Sequence, residues 1–163
     1  MRKLKHFFRN PLIKGFLSAL AIAVFGYILL ILTFLFDALY QNTIRRIIGL
    51  FMPFNPDSQL FWLPPLLHIS FLVIIMAISY FFFRLKLKDI YKSTFMTVPL
   101  MTLFITIGLF LYQTPWIAGI IITMLTLGII YYLYNKKQSW LYYYTLALTC
   151  VLMLIIAIFQ IEI

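Results

Sequence analysis

Acidic residues are scarce in this chain, with four Asp and Glu against 13 Lys and Arg in 163 residues. Charge of either sign makes up only 10% of it, hydrophobic residues make up 64%, and mean hydropathy is +1.03. A water-soluble domain of this size needs far more polar surface, so an ordinary globule is excluded. The lone cysteine, Cys150, excludes an internal disulfide, a cysteine zinc cluster and a paired redox centre. Two separated histidines, His6 and His68, with no clustered acids give no credible metal-ligand set. Gly-rich phosphate loops, His-Glu-x-x-His and Gly-x-Ser-x-Gly are absent too. No catalytic residue, cofactor or metal is therefore expected.

What the chain has is long apolar runs, several reaching the roughly 20 residues that cross about 30 Å of hydrocarbon. They predict an all-α polytopic membrane helix bundle with five transmembrane helices at about 15–36, 60–83, 93–112, 116–134 and 140–161. Residues 1–14 form a basic lead-in, and 15–163 a single transmembrane domain. The first run exceeds the usual h-region of a signal peptide and no small-x-small cleavage site follows it, so it is expected to be a retained anchor. In the polar connection after it, Ile44, Ile47, Ile48 and Phe51 recur at helical spacing opposite Gln41, Asn42, Arg45 and Arg46. That pattern predicts a short interfacial amphipathic helix over 38–52, ended by Pro53 and Pro56. Pro99 interrupts the third span and frees the carbonyl of Phe95, which the hydroxyls of Thr94 or Thr97 are placed to help satisfy.

Basic residues fall mostly on one side. Arg2, Lys3, Lys5, Arg9, Lys14, Arg84, Lys86, Lys88, Lys92, Lys136 and Lys137 share the amino-terminal side, with only Arg45 and Arg46 opposite. The positive-inside rule puts the amino terminus in the cytoplasm and, after five spans of an inner-membrane protein, the carboxyl terminus outside. Trp62 and Trp116 fall at the outer boundary, while Trp140, Tyr131, Tyr132, Tyr134, Tyr142 and Tyr143 gather at the inner one. The positive charge thus lies beside anionic headgroups on the cytoplasmic side, which makes membrane lipids the expected partner and excludes nucleic acid.

Ionisable side chains inside a bilayer are the first functional suspects, and His68 is the one histidine with any depth. It shares a helical face with Leu72, Ile75 and Ser79, as an inward histidine bonding a neighbouring helix does. The acids Asp37, Asp57, Asp89 and Glu162 are expected at interfaces or loops, which weakens proton- or sodium-coupled transport. Arg45, Arg46, Asp37 and His68 form the candidate contact for a lipid headgroup, since paired guanidinium groups suit phosphate. The alternative places both arginines on the polar face of an interfacial helix. Small residues mark helix seams: Gly15, Ala19, Ala23 and Gly26 in the first span, Gly119, Thr123 and Thr126 in the fourth, Thr145 and Thr149 in the fifth.

The lead-in Phe7, Phe8, Arg9, Asn10, Pro11, the outer connection and the segment Lys88, Asp89, Ile90, Tyr91, Lys92, Ser93, Thr94, Phe95, Met96, Thr97, Val98, Pro99 resemble the layout of Yip-type five-span membrane proteins. The resemblance implies a noncatalytic membrane organiser and carries over no catalytic residue. The resulting expectation is an accessory or scaffold subunit that meets a membrane-protein partner or a second copy of itself. A lipid-binding or lipid-modifying protein and a small transporter or channel-forming oligomer are the alternatives.

Overall fold

A computed structural model describes residues 11–51 and 63–159. They fold into five helices: α1 Pro11–Phe51, α2 Leu63–Arg84, α3 Asp89–Phe110, α4 Pro115–Asn135 and α5 Trp140–Phe159. Among the described residues there is no strand. The first four helices are long and apolar enough to cross a bilayer. The fifth has 20 residues, with an apolar stretch over Trp140–Ile156.

The polar segment after the first apolar run is not a separate helix. α1 continues without a break for 41 residues, about 60 Å at 1.5 Å per residue and roughly twice a bilayer's hydrocarbon thickness. Nothing between Phe36 and Ile48 breaks a helix, since Gly and Pro are absent there. Thr33 and Thr43 turn their hydroxyls back to the carbonyls of Leu29 and Leu39, each at 2.7 Å. Of the apolar stripe, Ile44 and Ile48 are half-buried and Ile47 is exposed. The end of that connection, 52–62, lies outside the described residues, as do His6, Asp57 and Glu162.

α3 is the axis of the fold. It packs against all four other helices, and twelve of its 22 residues are buried, against only Ala118 and Leu133 in α4. Leucines in lipid gain little by leaving it, so the helix richest in small and hydroxylic groups takes the centre, where close packing and local hydrogen bonds favour it. Ser93, Thr94, Thr97, Thr102 and Thr106 are all buried there. Each donates its proton to a carbonyl of its own helix, three or four residues back. The hydroxyl of Thr94 goes to Ile90 and that of Thr97 to Thr94, so neither donates to the carbonyl that Pro99 frees at Phe95. Two apolar clusters flank α3. One joins Met96 and Leu100 to Leu133 of α4 and Tyr142 and Leu146 of α5; the other joins Val98 to Phe71 and Ile75 of α2.

The turn between α2 and α3 holds basic residues at one end of the bundle. Lys92 donates to the carbonyl of Phe83 at 2.9 Å, closing the end of α2, while the guanidinium of Arg84 lies over the Tyr80 ring at 4.9 Å and donates to its hydroxyl. α3 starts at Asp89, four residues before the expected boundary, with that acid in its first turn where the helix dipole favours negative charge.

Candidate functional site

Three helix faces converge near the start of α2. α1 brings Leu30, Thr33, Phe34 and Asp37; α3 brings Val98, Met101, Thr102 and Ile105; α2 adds His68 and Phe71. The first two sets have the i, i+3, i+4, i+7 spacing of one helical stripe, so each helix presents a single face to the same space. They enclose a cavity of about 20 Å³.

At its wall, Nδ1 of His68 lies 3.3 Å from Oδ2 of Asp37, with both side chains almost nine-tenths buried. The pair ties α1 to α2 across 31 residues of sequence. A second tie lies one turn along, where Tyr40 and Ser70 share a hydrogen bond of 2.8 Å and the Ser70 hydroxyl reaches the Leu67 carbonyl. The Phe71 ring packs against Phe36 and Tyr40 at 6.0 and 5.9 Å between centroids. Two polar atoms of the pair, Oδ1 of Asp37 and Nε2 of His68, are buried with no hydrogen-bond partner. His68 also borders an open groove of about 260 Å³ formed with Gln41, Pro65, Leu109 and Phe110.

Of the four residues expected to meet a lipid phosphate, two come together and two do not. Asp37 and His68 pair, whereas Arg45 and Arg46 are exposed two turns further along α1, about 12 Å from Asp37 along its axis. Arg45 bonds within its own helix, to the Gln41 side chain at 3.5 Å. Asp37 is thus not a loop acid but a buried helix residue. The partner on the neighbouring helix was the missing signal: His68 reads as inward-facing from its own helix, yet nothing local to Asp37 marks it as buried.

The small residues divide likewise. Gly26 is buried, and a Cβ there would meet Cγ2 of Thr97 at 3.1 Å. Gly15 faces the Trp140 ring, 3.8 Å from where a Cβ would lie, and Ala19 and Ala23 are half-buried. Thr145 and Thr149 are fully buried, their hydroxyls bonded to the carbonyls of Leu141 and Thr145. The fourth helix departs from expectation. Gly119 has nothing within 4 Å of a Cβ and Thr123 is exposed, bonded only to the Gly119 carbonyl, because α4 sits at the rim and turns that face outward. Thr126 alone reaches a neighbour, the Cys150 thiol at 3.7 Å. No group of three or more His, Cys, Asp or Glu occurs among the described residues.

No family model, curated protein or solved structure matches this chain.

Proposed function

We propose that this is a noncatalytic five-span membrane protein, an accessory or scaffold subunit of the inner membrane with its amino terminus in the cytoplasm. The observation that carries the reading is the contrast between α3 and α4. The buried hydroxyls of α3 are all engaged by their own helix, leaving none poised as a nucleophile, while α4 buries only Ala118 and Leu133 among its described residues. A helix so lightly held is available to pack against another membrane protein or a second copy, through the face that carries Gly119 and Thr123. The Yip-type layout, with its basic turn before a proline-bearing third span, points to the same noncatalytic role. Separation of Arg45 and Arg46 from Asp37 and His68 weakens the rival, a shared phosphate site.

A photo-crosslinking residue at Thr123 tests the scaffold role in intact membranes. Crosslinks at that position to one protein, or to a second copy, are expected, and crosslinks to lipid alone would overturn the role. Topology has its own test. In a Cys150→Ala background, Asn42→Cys and Gln113→Cys should react with an impermeant thiol reagent outside intact cells, and Lys88→Cys and Lys136→Cys should not. Labelling of either lysine position with the membrane intact reverses the orientation.

A further inference from the structure

Three segments far apart in sequence bring their basic residues to one end of the bundle. Phe83, the last residue but one of α2, packs in the same apolar cluster as Leu133 near the end of α4 and Tyr142 near the start of α5. The α2–α3 turn and the α4–α5 turn are therefore neighbours. The start of α1 joins them, because a Cβ at Gly15 would lie 3.8 Å from the Trp140 ring. Lys14, Arg84, Lys86, Lys88, Lys136 and Lys137 are all exposed at this end. Among the described residues none of them forms an ion pair, and the one acid in these segments, Asp89, sits in the first turn of α3.

We propose that this end is a docking surface for anionic phospholipid headgroups, with the start of α1 and the two turns acting as one. Leu85 and Leu87, 53% and 38% exposed, alternate with Arg84, Lys86 and Lys88 in the turn. At a bilayer surface such leucines enter the boundary of the acyl chains while the cations between them stay at the phosphates. Free phosphate would gain nothing from those leucines, whereas an anionic leaflet meets both. Lys137 adds a second sign, with a left-handed backbone at φ 48°. Its amide and that of Gln138 donate back to the carbonyls of Tyr134 and Leu133, both at 3.0 Å, a helix stop where glycine is usual. Lysine carries backbone strain there that glycine avoids, and its charge is what glycine lacks. The surface lies at the far end of α4 from Gly119 and leaves that face free for a protein partner.

Tryptophan quenching in reconstituted bilayers tests it, since Trp140 is half exposed at this end and exposed Trp116 lies about 30 Å away at the other end of α4. The full chain with Trp62→Phe and Trp116→Phe keeps Trp140 as its sole tryptophan; Trp62→Phe with Trp140→Phe keeps Trp116. Each is placed in equimolar phosphatidylcholine and phosphatidylglycerol, with bromine quencher on the acyl chains of one lipid or the other. Around Trp140 phosphatidylglycerol should be favoured about fivefold, and around Trp116 the two lipids should quench alike. Lys136→Gln with Lys137→Gln, and separately Lys86→Gln with Lys88→Gln, should each reduce the Trp140 preference by about half or more. Lys137→Gly alone should lower it without lowering the melting temperature, which separates the charge from the fold. Equal quenching at Trp140 by the two lipids would overturn the surface. A preference untouched by the Lys86 and Lys88 changes would overturn it equally, because the two turns would then not act together.

Discussion

Asp37→Ala and His68→Ala are each expected to lower unfolding free energy by about 3 kcal/mol, the order of loss when one partner of a buried polar contact is removed and the other is left unsatisfied. The pair is 3.3 Å apart with side chains 11% and 12% exposed, and each still has one unpartnered atom, so neither survivor finds a substitute. Replacing both at once should cost far less than the sum. Asp37→Leu with His68→Leu removes both polar groups from a space already walled by Phe34, Phe71 and Met101, and should fall within about 1 kcal/mol of the parent. The measurement is reversible unfolding in mixed detergent. Additive losses would mean that the two residues act independently and that α1 and α2 are held by Tyr40 and Ser70 instead.

His68 was legible in the sequence because helical periodicity is local: His68, Ile75 and Ser79 recur on one face and all three are buried. Asp37 was not, since a lone acid at the end of an apolar run looks the same whether it faces water or a partner 31 residues away. The same blindness divided one long helix into a span and an interfacial segment. Polar residues after Phe36 signal a boundary only if they are solvated, and here Asp37 meets His68 inside the bundle while the helix continues past it.

The centre of the fold had a legible sign that hydropathy alone obscures. α3 is the least apolar of the four long apolar helices and by far the most buried. In water that combination would be perverse. In lipid it is expected, because side-chain hydroxyls that bond their own backbone pack closely and the more apolar helices lose nothing at the rim. Four threonines, one serine and Pro99 in a single span therefore mark the axis better than its apolar content does. Small-residue patterns carry less information. Gly26 and Gly119 look alike in sequence, yet one meets Thr97 and the other meets nothing within 4 Å among the described residues, and only the placement of a neighbouring helix distinguishes them.

That distinction sets the second large effect. Gly26→Leu should destabilise the protein by about 3 kcal/mol, lowering the melting temperature by roughly 8 °C, whereas Gly119→Leu should leave it nearly unchanged. Even the first atom of a side chain at position 26 lies 3.1 Å from Cγ2 and 3.5 Å from Oγ1 of Thr97, and Thr97 is itself buried with its hydroxyl tied to the Thr94 carbonyl. α1 and α3 must separate to admit anything larger, and that separation would disturb the Asp37 side of the cavity about three turns away. A milder pair isolates the contact. Gly26→Ala alone should lose part of that stability, and adding Thr97→Ala should recover most of it by clearing both Thr97 atoms that the new methyl meets. Thermal unfolding of the four proteins in one detergent decides it: if positions 26 and 119 tolerate leucine equally, or if Thr97→Ala gives no rescue, then α1 does not pack on α3 through this glycine.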